Sequence, residues 1–245
     1  MSISDLKKQA ALRAVEFIRS EMVVGLGHGS TTAFAIERIA QLLDTAVLNE
    51  IVAIPCSLEV EAHARRLGIP LGTLEDYPVI DLTIDGADEV DERMDLIKGG
   101  GGALLREKVV ACASQREIII VDGSKLSPRL GMQFALPVEV IPFAWTIEKQ
   151  FIESLGAVVS LRGGKDKPFS TDQGNVILDC RFSSIDDAPR LARLLNDRAG
   201  IVEHGLFIDL ATDLIVADEH GVRHLKKDQE EEATKRMPEN DVATS

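Results

Sequence analysis

The chain has few cysteines, no long apolar run and a shortage of positive charge. Its 245 residues include three cysteines, which lie far apart without a CxxC pair. Neither a disulfide framework nor a zinc site is therefore predicted, and the thiols are expected to be small buried side chains. No stretch reaches the roughly 18 apolar residues of a membrane span, and the N-terminus lacks the apolar core of a signal peptide. These absences predict a reduced, cytoplasmic protein.

The charge balance limits the kinds of partner. With 27 Lys and Arg against 40 Asp and Glu, the formal net charge is -13, which argues against nucleic acid or an anionic membrane as a partner. A phosphate ligand remains compatible with this charge, because a few local cations and helix N-termini can outweigh distant carboxylates.

The first half of the chain alternates short apolar runs with helical patterns. Such runs, separated by helices, are typical of a parallel sheet covered on both faces, so an α/β, doubly wound, Rossmann-like domain is predicted. Ligands of such sheets gather beyond the carboxyl ends of the strands. Helices are expected at Asp5–Ser20 and at about Ala103–Ala113, and strands at Met22–Leu26, Ile51–Ile54, Val79–Ile84 and Glu117–Val121.

The second half has a different rhythm. Between residues 133 and 203 the order βαββαβ predicts a smaller, inserted ferredoxin-like α+β domain that acts as a lid or in oligomerisation. Two further strands, Gly205–Leu210 and Asp213–Ala217, are expected to return to the first sheet. The predicted domains are thus 1–132 with 204–228, and 133–203. Residues 229–245 are polar and predicted to be a disordered tail.

A glycine-rich loop follows the first strand. Residues 25–31 read GLGHGST, and a strand, glycine turn and helix start present free N–H groups to an anion. A dinucleotide fingerprint needs glycine where Ser30 stands, and the lysine of a P-loop is missing, so NAD or nucleotide binding is not predicted. A purely structural turn remains the alternative for this loop.

A cluster of charged residues lies between residues 84 and 110. Glu107 falls on a helix that is apolar nearly all round, where burial tends to raise the pKa of a carboxyl towards the range of a general base. Lys98 precedes four glycines and can meet an oxyanion or phosphate. Asp85 and Asp88 follow a buried strand, where carboxylates can bind sugar hydroxyls or Mg²⁺. Each has an ordinary alternative, such as a paired glutamate, a solvated lysine or an aspartate that caps a turn. Glu89, Asp91, Glu92 and Asp95 are expected to be solvated loop charges, and His220 and His224 are not expected to bind metal.

Four motifs together resemble ribose-5-phosphate isomerase of the A type. They are GLGHGSTT at 25–32, DGAD at 85–88, KGGGGALLRE at 98–107 and DGSK at 122–125. The resemblance spans roughly residues 6–225 and implies an aldose–ketose isomerase of the pentose phosphate pathway that uses no metal or cofactor. It also implies a sugar phosphate as ligand and a homodimer or homotetramer.

The resemblance also assigns roles. It implies that Glu107 is the general base, that Lys98 stabilises the oxyanion, and that Asp85 and Asp88 hold sugar hydroxyls and assist proton transfer. His28 stands where the family usually has threonine. The residues implied to bind substrate are Gly27, His28, Gly29, Ser30, Thr31, Asp85, Gly86, Ala87, Asp88, Lys98, Gly99, Gly100, Gly101 and Lys125.

Two other functions fit the fold class. A sugar-phosphate-sensing regulator would carry a helix-turn-helix, but only one helix fits ahead of Gly25, and the charge does not suit DNA. A coenzyme A transferase would need its own nucleophilic glutamate motif and a longer chain. Both are less favoured than the isomerase.

Overall fold

The computed structural model describes residues 2–227, and the predicted tail at 229–245 lies outside them. In chain order the elements are α1 (Ile3–Val15), β1 (Val23–Leu26), α2 (Ser30–Asp44), β2 (Val52–Pro55), α3 (Leu58–Arg66), β3 (Leu82–Asp85), β4 (Glu89–Val90), β5 (Leu96–Ile97), α4 (Leu104–Ala113), β6 (Glu117–Asp122), β7 (Leu136–Val140), α5 (Trp145–Ser154), β8 (Val158–Leu161), β9 (Val176–Arg181), α6 (Ala188–Asn196), β10 (Ile201–His204), β11 (Leu206–Phe207), β12 (Asp213–Asp218) and β13 (Gly221–Lys226).

A six-stranded sheet forms the centre of the molecule. Its order is β13-β12-β6-β3-β1-β2, and every neighbouring pair is parallel except β12 and β13. This confirms the doubly wound sheet and the return of the 213–217 strand to it. The antiparallel edge strand β13 was not predicted, because its residues are mostly exposed and its pattern is polar.

The inserted segment forms a second sheet. Its four strands take the order β10-β7-β9-β8 with antiparallel neighbours, and α5 and α6 connect them in the sequence βαββαβ. This arrangement confirms the ferredoxin-like α+β fold. A separate apolar core fills it, in which Val138, Ile152, Leu178 and Leu195 are fully buried.

The prediction for Gly205–Leu210 was wrong. Only Leu206–Phe207 is a strand, and it belongs to a small third sheet of order β11-β5-β4 instead of the main sheet. Gly205 makes the turn into this strand, and a Cβ there would lie 2.3 Å from the Lys98 carbonyl oxygen. The third sheet therefore ties the return of the chain directly to the segment that carries Lys98.

Two residues expected to be solvated are buried. Glu89 is fully buried and accepts hydrogen bonds from the backbone N–H groups of residues 131–134 at 3.0–3.2 Å. Asp95 is also buried and accepts from the Asp209 N–H at 3.0 Å. The prediction failed because the N–H donors that satisfy these buried carboxylates come from chain segments far away in sequence.

The first helix has a capped N-terminus. Helix α1 begins at Ile3, because Ser2 and Asp5 exchange hydrogen bonds as a capping box. Cys56 and Cys180 are buried as expected, whereas Cys112 is exposed. Within residues 2–227, no helix is long and apolar enough to cross a membrane.

Candidate active site

The loops after β1, β3, β5 and β6 meet at one edge of the central sheet. They enclose a cavity of about 170 Å³, as expected where parallel strands end. All the predicted site residues line it except Gly27 and Asp85, and Lys7 is added to them. The lining residues are Lys7, His28, Gly29, Ser30, Thr31, Gly86, Ala87, Asp88, Lys98, Gly99, Gly100, Gly101, Glu107 and Lys125.

Lys98 lies at the floor of the cavity. Its side chain is 2% exposed, and its ammonium group contacts Asp85 Oδ2 at 2.8 Å, Glu107 Oε1 at 2.8 Å and the Gly86 carbonyl oxygen at 2.6 Å. Burial alone lowers the pKa of a lysine, but here the two carboxylates outweigh it and the pKa lies above its ordinary value. Lys98 is therefore a fixed, buried positive charge.

Glu107 occupies the buried face of α4. Leu104, Val110 and Ala111 are buried on the same helix, as the apolar pattern predicted. Burial raises the pKa of Glu107 to about 7, although the Lys98 charge opposes the shift. A carboxyl group that titrates near neutral pH and borders a cavity is suited to accept a proton and to return it.

Asp85 is placed behind the cavity instead of on its wall. Its carboxylate contacts Lys98 and accepts hydrogen bonds from the N–H groups of His28 at 3.1 Å and Gly86 at 2.7 Å. The same carboxylate fills the space beside Gly27, where a Cβ would lie 2.2 Å from Asp85 Oδ1. Asp85 thus joins the first loop to Lys98.

Asp88 and His28 hold the loop of four glycines. Asp88 Oδ2 accepts a hydrogen bond from the Gly100 N–H at 2.7 Å. The His28 ring lies against Gly101, where a Cβ would come within 2.5 Å of it, and its Nδ1 shares a hydrogen bond of 3.0 Å with Ser57 Oγ. The imidazole therefore packs against the loop, which a threonine at this position is too short to do.

The other end of the cavity is cationic. Lys7 donates a hydrogen bond to Ser30 Oγ at 2.9 Å, and Lys125 lies on the same wall. Helix α2 begins at Ser30 after Gly29 (φ 121°), and no side chain caps its first N–H groups. Two lysines and an uncapped helix start are an arrangement suited to binding a phosphate group.

Sequence reasoning missed two residues around the site. Lys7 is brought to the cavity by α1, and its spacing from the motifs gave no signal. Glu117 is buried beside β3, where burial and the Asp85 charge raise its pKa well above the ordinary value, and neither of its carboxyl oxygens has a hydrogen-bond partner within residues 2–227. Its place at the start of an apolar strand could have drawn attention to it.

Two further observations bear on the location of the chemistry. A larger groove of about 710 Å³ includes Leu71, Arg106 and Val109 but none of the predicted catalytic groups. Among the described residues, no group of three or more His, Cys, Asp or Glu side chains could hold a metal ion. The small cavity is thus where acid, base and cation converge.

Comparisons with known proteins identify the family of the chain. The sequence profile described as Ribose 5-phosphate isomerase A (phosphoriboisomerase A) matches residues 52–221. Ribose-5-phosphate isomerase A of Desulfatibacillum aliphaticivorans is 57% identical over 222 residues, which cover 90% of this chain and 96% of that protein.

Two solved structures of similar fold belong to the same family. A D-ribose-5-phosphate isomerase in complex with phospho-erythronic acid has a TM-score of 0.90 at 38% identity, covering 92% of this chain and 100% of that one. The ribose 5-phosphate isomerase A of Methanocaldococcus jannaschii has a TM-score of 0.87 at 38% identity with the same coverage. On sequence and structure together, the chain belongs to the ribose-5-phosphate isomerase A family.

Proposed function

We propose that this protein interconverts D-ribose 5-phosphate and D-ribulose 5-phosphate, an aldose–ketose isomerisation of the pentose phosphate pathway. The observation that carries the proposal is the contact of Glu107 with Lys98 at 2.8 Å on the floor of a cavity. Lys7 and Lys125 stand on the wall of that cavity. This pairs a proton acceptor with a phosphate site, and one solved relative holds phospho-erythronic acid, a ligand that also carries a phosphate.

The proposed reaction is a proton transfer by Glu107. In the open-chain aldose, the Glu107 carboxylate takes the proton from C2, the C1 carbonyl becomes an enediolate oxygen, and the carboxyl returns the proton to C1. The hydroxyl proton on O2 moves to O1, which completes the ketose. A pKa of about 7 suits this task, because Glu107 must both accept and release the proton.

Lys98 keeps the charge balanced during this transfer. Its three N–H donors are occupied by Asp85, Glu107 and Gly86. When Glu107 becomes neutral, its bond to Lys98 weakens, and the negative charge has moved to the enediolate. A fixed ammonium between both positions stabilises the enediolate most where water is excluded. Lys98 therefore stabilises the Glu107 carboxylate before the transfer and the enediolate oxyanion after it.

The remaining residues orient the sugar phosphate. Ser30, Thr31 and the start of α2 receive the phosphate together with Lys7 and Lys125. Asp88 also lines the cavity, where it can accept hydrogen bonds from sugar hydroxyls. Asp85 acts through Lys98 and the first loop, because its oxygens face protein donors.

The domain boundaries and the oligomer belong to the same proposal. Residues 1–132 with 204–228 form the catalytic domain, 133–203 form the inserted one, and the protein works in the cytoplasm.

The inserted domain exposes Phe143 (97% exposed) and Ile147 (60%), an apolar surface suited to a second copy. Light scattering of the wild type should give a molar mass of twice the chain mass or more. Phe143→Ser should lower that mass. A wild type with the mass of a single chain would contradict the proposed oligomer.

A coupled assay tests the reaction. Ribose 5-phosphate should be converted, and ribose without phosphate should not, because the lysines and the α2 N-terminus have nothing to bind. Arabinose 5-phosphate, the C2 epimer, should be a poor substrate, since its C2 proton lies on the face away from Glu107. A chelator should leave the rate unchanged. Equal rates on ribose and ribose 5-phosphate would contradict the phosphate site, and no turnover of either would contradict the function.

A further inference from the structure

One arginine of the inserted domain reaches the outer side of the glycine loop. Arg162 directly follows β8, and its Nη1 donates hydrogen bonds to the carbonyl oxygens of Gly99 at 3.0 Å and Gly100 at 3.1 Å. The side chain is 16% exposed. No predicted site residue comes from this part of the chain.

Neighbours hold the guanidinium group in a fixed orientation. Its Nε and Nη2 bind the two carboxylate oxygens of Asp179 on β9, a bidentate arrangement that restricts rotation. The backbone is fixed too, because Arg162 donates to Ile177 O and accepts from the Phe169 N–H, at 2.9 and 2.8 Å. The Phe169 ring packs beside Gly102, where a Cβ would lie 2.4 Å from it.

These contacts determine where the loop N–H groups point. In a trans peptide the carbonyl and the following N–H point in opposite directions. When the Gly99 carbonyl faces Arg162, the Gly100 N–H faces away and donates to Asp88 at 2.7 Å. By the same geometry, the Gly100 carbonyl bound to Arg162 directs the Gly101 N–H away from the inserted domain, and both glycines line the cavity.

We propose that Arg162 is a positioning residue for substrate binding. It holds two peptide groups of the glycine loop, so that one N–H orients Asp88 and the next is presented to the sugar phosphate. Glycines lose more backbone freedom on ordering than other residues do. Without Arg162, substrate binding would have to order a loop of four glycines, and this entropic cost would lower substrate affinity. This inference rests on the proposed function only for its effect on substrate.

The alternative is that Arg162 merely joins the two domains. An exposed ion pair between the two domains offers a comparison, since Arg129, which precedes the inserted domain, contacts Asp186 within it at 2.9 Å. Arg129 is absent from the cavity lining and makes no contact with the glycine loop among the described residues. Loss of a simple domain contact should affect Arg162→Met and Arg129→Met through stability alone.

The experiment compares Arg162→Met, Arg162→Lys and Arg129→Met in the full chain. Arg162→Met should raise KM for ribose 5-phosphate about 10-fold or more, the usual loss for a hydrogen bond made by a charged group. Arg162→Lys should recover part of this loss, because a lysine can reach one carbonyl but cannot also hold Asp179 as a fork does. Arg129→Met should keep the wild-type KM.

Amide hydrogen exchange separates this proposal from the isomerase assignment. In the free protein, Arg162→Met should speed exchange in the peptide covering residues 99–104, and Arg129→Met should not, whether or not the protein is active. Exchange and KM both at wild-type values in Arg162→Met, with only the urea midpoint lowered, would overturn the positioning role. Unchanged exchange with altered KM would equally contradict it, since Arg162 is proposed to act through the loop.

Discussion

At the scale of single residues, burial and the charge of Lys98 act in opposite directions on the proton affinity of Glu107. Burial pushes the pKa of Glu107 up, and the Lys98 ammonium at 2.8 Å pulls it down, with a net value of about 7. Below that pH the folded enzyme holds Glu107 as a neutral acid, which cannot accept a proton. Activity should therefore fall with decreasing pH even where the fold is intact.

This balance predicts the pH profile. For the wild type, kcat/KM should rise with pH up to about 7 and level off above it. Lys98→Met should lower the plateau by about 10²–10³-fold, typical of losing a group that stabilises a developing oxyanion. It should also move the rise to higher pH, because the charge that lowers the pKa of Glu107 is gone. A rise at unchanged pH in Lys98→Met would contradict the coupling.

The burial of Glu107 could be predicted from sequence, and that of Lys98 and Glu89 could not. Leu104, Val110 and Ala111 share the helix of Glu107, so its surroundings were local and readable. The Lys98 ammonium is paired with Asp85 and Glu107, which lie on other elements. The hydrogen bonds to the Glu89 carboxylate come from a loop more than 40 residues away. Burial of this kind is set by tertiary packing, which periodicity does not encode.

At the scale of elements, the site depends on the close approach of β1 and β3. Gly27→Ala should reduce kcat/KM by at least about 100-fold, because the new Cβ would lie 2.2 Å from Asp85 Oδ1 and 2.5 Å from its Cα. The displaced carboxylate would release Lys98, with a loss like that of an oxyanion-stabilising group.

Gly68→Ala is the control for this variant. Gly68 has a φ of +73° and no neighbour within 4 Å of an added Cβ, so alanine there lowers stability by about 1 kcal/mol through backbone strain alone. Its kcat should stay at the wild-type value. Equal losses of activity in the two variants, measured at matched folded fraction, would show that Gly27 acts only through stability.

Helix α1 supplies Lys7 to the cavity and allows a test of the phosphate end. Lys7→Met should raise KM for ribose 5-phosphate by about 10- to 100-fold with a smaller change in kcat, the effect of one charge-assisted hydrogen bond. Lys8→Met on the same helix is the control, because Lys8 lines a different groove. Raised salt should weaken the effect of Lys7 on KM only modestly, because salt screens charges poorly over the short distance between the ammonium group and the phosphate. An unchanged KM in Lys7→Met would remove Lys7 from the phosphate site.

The accuracy of the strand predictions followed both the length of a strand and its burial, since the exposed six-residue β13 was missed. Strands of four or more buried residues, such as β3 and β6, were placed within a few residues of their bounds, and β6 contains an unbroken apolar run at 118–121. The strands of the third sheet, β4, β5 and β11, have two residues each. Two residues show no periodicity, so their pairing was visible only in three dimensions.

At the scale of the whole molecule, the site is assembled from several distant segments of the described chain. Residues 7, 28–31, 86–88, 98–101, 107 and 125 line one small cavity, and the inserted domain supports it from outside through Arg162. The strand pattern predicted that the loops after the strands meet at one edge of the sheet, and the family resemblance implied most of the individual residues. Neither could predict contributions from α1 or the inserted domain, since their approach depends on how the layers pack.

The central claim is that Glu107 moves the proton between C2 and C1, and proton NMR in D₂O tests it most directly. The wild type should convert ribose 5-phosphate with entry of deuterium at the carbon that receives the proton. Glu107→Gln should bind the sugar phosphate yet show neither conversion nor deuterium entry. Glu139→Gln, a buried carboxyl change in the inserted domain, should behave as the wild type. Deuterium entry in Glu107→Gln at the wild-type rate would contradict the account.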